Sequence, residues 1–279
     1  MIEITDFSFQ YREGGEPTVR DINLSIPAGT FVGITGPAGS GKSTLTYAMN
    51  GIVPHCYPGD FYGSVLVGGL DTCETALTDL SCAVGSVCQD VDSQFVTPVV
   101  EDEVLYGMEN FGVPRDEMET RLERALADMG IADLRERTIA SLSGGQRQKV
   151  AIASVLAMEP KVLVLDEPTA ELDPASSQSV FDLLVSYART HGTTVVVVEQ
   201  KIALLSRYAD MLVVVEGGRI RFADEPRQVL AHADELLEIG VNCPRSTTLV
   251  NRLADRGVCE RAAVRTVSEA CDALERVVA

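Results

Sequence analysis

The chain has 279 residues, 46% of them hydrophobic, and sets 23 lysines and arginines against 41 aspartates and glutamates, a formal net charge of −18. That size and apolar content suffice for one large core or two unequal ones. The negative charge repels phosphate backbones and speaks against nucleic acid as a main partner, and the longest apolar runs, Val195 to Val198 and Met211 to Val215, are far too short to cross a bilayer. The first residues show no signal-peptide pattern. Seven cysteines, odd in number and without a C-x-x-C pair, are expected to be reduced, packed thiols in a cytosolic protein, not a metal site.

Residues 1 to 35 alternate apolar and polar in short runs (Ile22, Leu24, Ile26) separated by Gly14-Gly15 and Pro27-Ala28-Gly29, which predicts an antiparallel β layer. Within it, Tyr11 either packs on an edge strand or offers its ring to a purine. Phe31 to Thr35 reads as a short buried strand. It leads into Gly36-Pro37-Ala38-Gly39-Ser40-Gly41-Lys42-Ser43-Thr44, which fits the phosphate-loop pattern at every required position. The chemistry follows from the residue types: the glycines let backbone N–H groups turn around an anion, Lys42 reaches the β- and γ-phosphates, and the Ser43 hydroxyl can ligate Mg²⁺. A helix from Thr44 to Asn50, stopped by Gly51, adds its N-terminus to the anion site.

A Pro/Gly-rich loop from Gly51 ends in a strand near Val67, and Ala83 to Cys88 is a further strand candidate running into Gln89. From 90 to 136 the chain carries 13 acidic and 4 basic residues, with Met118, Leu122, Ala125, Leu126 and Met129 at helical spacing. This predicts an acidic helical subdomain, either a solvated face or a socket for a basic partner. Leu142-Ser143-Gly144-Gly145-Gln146 then opens a helix, a second place where N–H groups and a hydroxyl can meet an anion. Val162 to Leu165 reads as a buried parallel strand ending in Asp166-Glu167, two carboxylates where α/β ligands bind. A helix from Ser176 to Arg189, a strand from Thr193 to Val198 and a hairpin of Met211 to Val215 with Arg219 to Phe222 complete the unit near residue 225. Beyond Pro226, three or four short helices are expected.

The phosphate loop, Gln89, "LSGGQ", "LVLDE" and "AELDP", in that order, resemble the ATP-binding-cassette (ABC) transporter ATPases over residues 1 to 225. "NGIVPHCYPGDFYGSVLVGGLDT" and the tail "LLEIGVNCPRSTTLVNRLADRG" look like the ATPase subunits of energy-coupling-factor importers, the cobalt-type class for vitamins and transition-metal ions. The resemblance implies an α/β fold: a phosphate-loop NTPase cassette with a mixed sheet core, an antiparallel β layer and a helical signature subdomain at about 90–158. A small C-terminal α-helical dimerisation extension follows at 226–279.

Carried over by position, the resemblance assigns Tyr11 to adenine stacking and the nine residues Gly36 to Thr44 to the phosphates. Ser43, Gln89 and Asp166 go to Mg²⁺ or its waters, and Glu167 becomes the general base. It also implies head-to-tail pairing with a second ATPase subunit, identical or paralogous. Ser143, Gly144, Gly145 and Gln146 of one protomer then meet the γ-phosphate held by the other, and Asp173 sits at the shared seam. An integral membrane coupling subunit and a substrate-binding membrane subunit are the further partners, placing the chain on the cytoplasmic face of a membrane, with coupling-subunit arginines meeting the acidic stretch from Asp90 to Glu136. One position departs from the pattern: where the family places a histidine after the strand ending at Val198, this chain has Gln200, whose amide donates a hydrogen bond but cannot exchange a proton as imidazole does. Two other readings stay open on this sequence: an ATP-binding regulatory subunit with little hydrolysis, and a soluble ABC ATPase not tied to transport.

Overall fold

The computed structural model describes residues 1–12 and 15–278; Gly14, part of the first expected turn, lies outside them. Strands β1 (Ile2–Tyr11) and β2 (Val19–Ile26) pair antiparallel, and the chain then enters a second sheet through β3 (Phe31–Thr35). Helix α1 (Lys42–Met49) and the single turn α2 (Ile52–His55) lead back to β4 (Gly59–Val67) and β5 (Leu70–Asp71), giving a four-stranded antiparallel layer ordered β2-β1-β4-β5. Ile22, Leu24 and Ile26 are buried with exposed residues between them, the period of two that a half-buried strand requires.

After α3 (Leu77–Ala83) comes β6 (Val84–Val87), followed by the helices α4 (Val100–Asn110), α5 (Arg115–Asp128) and α6 (Gly144–Leu156). The chain continues through β7 (Val162–Asp166), α7 (Pro174–His191), β8 (Thr194–Val198), α8 (Ile202–Tyr208) and the hairpin β9 (Met211–Glu216) and β10 (Arg219–Asp224). Its end carries α9 (Pro226–Ala231), α10 (Ala233–Glu238), α11 (Arg245–Ala254) and α12 (Val267–Val278). The second sheet runs β10-β9-β3-β8-β7-β6, parallel except for the β9–β10 pair.

Both faces of this sheet are covered, so its strands read as unbroken apolar runs. Leu163, Leu165, Val195 and Val197 point into one core with α4 to α7, while Val162, Val164, Val196 and Val198 point into a second core shared with the antiparallel layer and α1. Each such side chain contributes roughly 1.5–3 kcal/mol by leaving water. Val229, Leu230, Leu236 and Val241 join the first of these cores, although the sequence reading sets them beyond a boundary at 225; Val250, Val264 and Ala270 form a small cluster of their own. Helix α9 lies against β9, β10 and α8, and α10 packs on α9.

About half of the acidic stretch is committed within the chain. Arg135 bridges Glu101 and Glu119, Arg121 reaches Glu117 and Glu159, and Asp92 lies 2.9 Å from Arg147 Nε. Glu103 is buried and accepts from the backbone N–H groups of Val96 and Thr97, pinning the segment before α4. These carboxylates thus hold helices and loops in place.

Candidate active site

The phosphate loop joins β3 to α1. Gly36 has φ 151°, and a Cβ there would stand 2.1 Å from the Val215 carbonyl oxygen. Gly41 caps α1 with φ 100°, and a Cβ there would stand 2.9 Å from the Thr18 carbonyl oxygen and 2.7 Å from Val19 Cγ1. Only bare backbone fits at both ends, and the first N–H groups of α1, which lack intrahelical acceptors, close around one point. The left-handed Gly41 also explains why the helix starts at Lys42, two residues earlier than its apolar pattern suggests.

Lys42 arches back over the loop, its Nζ donating to the carbonyls of Gly36 at 3.0 Å and Pro37 at 2.8 Å. Burial pushes its ammonium down, opposed by the carboxylates of Glu167 and Asp166. Ser40 Oγ is buried without a hydrogen-bond partner, as expected of a hydroxyl lining an anion cradle.

The parallel register lines up the strand ends. Ile34 and Asp166 both pair with Val198, and Leu165 pairs with Val87, so the residues just past them share the carboxyl edge of the sheet with the phosphate loop. There Gln200 Nε2 donates to Glu167 Oε1 at 2.6 Å, and Gln89 Nε2 donates to Glu167 Oε2 at 3.2 Å. Each oxygen of the carboxylate is therefore held by one amide, from residues 78 and 33 positions away. Glu167 itself has φ 48°, a left-handed conformation costing about 1–3 kcal/mol in a non-glycine residue.

Asp166 points to the start of α1. Burial pushes its carboxyl up, opposed by a hydrogen bond from Ser43 and by Lys42. A buried carboxylate beside a hydroxyl suits Mg²⁺, which takes one or two carboxylates plus substrate phosphates instead of an all-protein cage. The donor set fits: among the described residues no group of three or more His, Cys, Asp or Glu side chains gathers, and Ser43, Gln89 and Asp166 line one cavity of about 260 Å³. Tyr47 and Cys88 line it too, and the sequence reading singled out neither.

Tyr11 reaches α1, its hydroxyl 3.1 Å from Thr44 Oγ1 and its ring edge-on to Tyr57, which stacks on Tyr47. The three tyrosines meet only in the fold. Their signal in the sequence is faint, since Tyr57 sits in a Pro/Gly-rich loop and Tyr47 reads as a helix residue.

Ser143 caps α6, accepting from Gln146 N while the Gln146 side chain accepts from Ser143 N, a reciprocal capping box. With Gly145, Lys149 and Ser176 these residues line a cavity of about 250 Å³ that shares no lining residue with the one at the phosphate loop. Lys149 and Ser176 were also missed, although Lys149 follows Gln146 by one helical turn. Asp173 caps α7, accepting from Ala175 N and Ser176 N. The capping hydrogen bonds from Ser176 hold its carboxyl below the usual range.

A phosphate loop leaving a parallel strand, with a carboxylate pair at a nearby strand end, defines a phosphate-loop nucleotide-binding protein. The family model described as ABC transporter matches residues 19–170. A protein of Pyrococcus horikoshii named for an ABC transporter ATP-binding role is 42% identical over 275 residues, 99% of this chain and 96% of its own. Among solved structures, CbiO1 of Clostridium perfringens, part of the ABC transporter complex CbiONQ, is 32% identical with a TM-score of 0.77, over 90% of this chain and 98% of that one. The dimeric cassette MJ0796, bound to ADP and Pi in a post-hydrolysis state, aligns with a TM-score of 0.69 at 25% identity, over 81% of this chain and 99% of that one. The chain belongs to the ABC transporter family, as an ATPase subunit that binds and hydrolyses ATP with Mg²⁺.

Proposed function

We propose that this subunit powers an importer of the energy-coupling-factor type, taking up a vitamin or a transition-metal ion from the cytoplasmic face of the membrane. Its likeness to CbiO1 over most of both chains supports that reading. Residues 36–44 hold the phosphates, Tyr11 swings onto the adenine, and Ser43, Gln89 and Asp166 hold Mg²⁺ or its waters. Mg²⁺, when bound, neutralises charge on the phosphates. Glu167 takes the proton of the attacking water, oriented by the two amides that grip it. Because the phosphate-loop and signature cavities are separate, two subunits pair head to tail, Ser143 to Gln146 of one closing on the γ-phosphate of the other with Asp173 at the seam. Helices α11 and α12, with the exposed Leu249 and Val267, help hold the pair.

Gln200 stands where the family places histidine, and hydrolysis persists because Glu167 supplies the base. The Gln200→Ala variant is expected to release phosphate about tenfold more slowly, the effect of losing one hydrogen bond to a charged group. Steady-state phosphate release by the assembled protein checks this, and a wild-type rate would remove Gln200 from the site.

The observation that carries the transport reading is a groove of about 420 Å³ behind the nucleotide site. It is lined by Ile52, Cys56, Val96, Tyr106, Phe111 and Met158, with Tyr106 and Phe111 about two-fifths exposed. Asn50, Ile52 and Ser86 line both this groove and the nucleotide cavity, so a membrane subunit seated there touches the wall that carries Gln89. No helix among the described residues is long and apolar enough to cross a membrane. Attachment then comes through this groove, with exposed acids of the stretch such as Asp102 and Glu109 facing arginines of the coupling subunit. The double variant Tyr106→Glu, Phe111→Glu is expected to lose co-purification with membrane subunits while its melting temperature holds. Intact co-purification would exclude the groove as the docking site.

A further inference from the structure

The three residues Glu199, Gln200 and Lys201 follow β8, and only the middle one faces the nucleotide site. Glu199 is 1% exposed. Its Oε1 accepts from Gln200 N at 2.9 Å and Lys201 N at 3.1 Å, and its Oε2 accepts the Thr169 hydroxyl. Its own N–H donates to Ile34 O at 3.0 Å, anchoring the segment to the strand that carries the phosphate loop. Lys201 turns the other way. Its Nζ donates to Thr169 O at 2.5 Å, Ser177 Oγ at 3.2 Å and Leu172 O at 3.4 Å, using three donors on the loop between β7 and α7 and on α7's first turn.

Thr169 is fully buried, two residues after Glu167, and is gripped from both sides. The geometry gives the grip a purpose. A left-handed glutamate persists only where its surroundings over-determine it. Upstream, Glu167 N donates to Val198 O at 2.9 Å; downstream, Ala170 N donates to Glu167 O at 3.2 Å. The next fixed points along the chain are the Thr169 hydroxyl and the Thr169 and Leu172 carbonyls, all held by Glu199 and Lys201. The same three-residue segment thus pins the backbone after Glu167 and, through Gln200, aims its carboxylate.

We propose that Glu199 and Lys201, acting through Thr169, are positioning residues that fix the orientation of Glu167 and so set the turnover rate without touching nucleotide. The inference rests on the reading of Glu167 as the base. It gives the loop from 168 to 172 one rigid placement relative to Gln200, so the catalytic carboxylate and the Asp173 end of the loop behave as one body.

The test is phosphate release by the complex recovered from membranes through a tag on this chain, with kcat, the KM for ATP and the melting temperature of each variant. Thr169→Val removes the hydroxyl and keeps the shape; Thr169→Ser keeps the hydroxyl; Lys201→Met removes the ammonium. Thr169→Val and Lys201→Met are expected to lower kcat about tenfold with KM within twofold of wild type, and Thr169→Ser to recover at least half the rate. Wild-type kcat in both Thr169→Val and Lys201→Met overturns the proposal, as does a joint fall of kcat and melting temperature that serine does not rescue. If Thr169→Val does not fold, Lys201→Met alone decides by the same kcat and KM criterion. Glu167→Gln separates the two readings: turnover surviving that change removes the base assignment, whereas turnover lost there and unchanged in the other variants removes only the positioning role.

Discussion

Replacing Glu167 by glutamine is expected to lower phosphate release by at least about a hundredfold while ATP still binds. A positioned general base contributes on the order of 10²–10⁴ in rate, and the amide cannot take a proton from water. Geometry adds to the loss. Both oxygens of Glu167 accept from amide donors, Gln200 Nε2 on one side and Gln89 Nε2 on the other. A glutamine at 167 has a single oxygen, so its NH₂ must face one of those donors, and that amide has to flip its oxygen inward or turn away. Binding is spared because Lys42 and the loop glycines are untouched. Phosphate release, read beside the binding of a fluorescent ATP analogue, checks both halves. Release near the wild-type rate would place the base elsewhere.

Gly36→Ala is expected to destabilise the protein by about 3 kcal/mol and to abolish nucleotide binding. The new Cβ would sit 2.1 Å from Val215 O and 2.9 Å from Ser40 Oγ. Val215 belongs to β9, whose neighbour Val214 pairs with Thr35 at the end of β3, so that oxygen cannot retreat without breaking the ladder. Overpacking of this kind costs about 1–3 kcal/mol, and a side chain on glycine-only backbone costs a similar amount. Taking about 3 kcal/mol, toward the lower end of that sum, the fall in Tm for a chain of this size is roughly 6–12 °C. Gly39→Ala is the control: its φ is 72° but nothing lies within 4 Å of the added Cβ, so it bears only about 1–2 kcal/mol of backbone strain. Equal melting temperatures for the two variants would show that the contact with β9 does not set the loop.

The site was legible in the sequence wherever its chemistry depends on neighbours along the chain. The phosphate loop, the acid pair at 166 and 167, and the glycine-led helix at 143 are local patterns. Several elements extend past their apolar signal for reasons of capping. α7 begins at Pro174 and not at Ser176, because Asp173 caps it and proline suits the first helical position; it runs to His191, where Gly192 at φ 69° ends it. The acidic stretch was legible as composition but not as structure, since Asp92, Glu101 and Glu119 find their arginines only after α4, α5 and α6 pack.

The sequence alone determined the family, the nucleotide, and the phosphate loop, acid pair and glycine-led helix start as local patterns, because each is written as a fixed spacing of residue types on one turn or one strand end. Only the tertiary structure decided what those groups touch. Parallel pairing puts the ends of β3, β6, β7 and β8 on one edge. That pairing brings Gln89 and Gln200 onto the two oxygens of Glu167, and Lys201 onto the loop beyond it. Strand order is set by which apolar faces bury against which helices, a property of the whole core that no single stretch of residues carries.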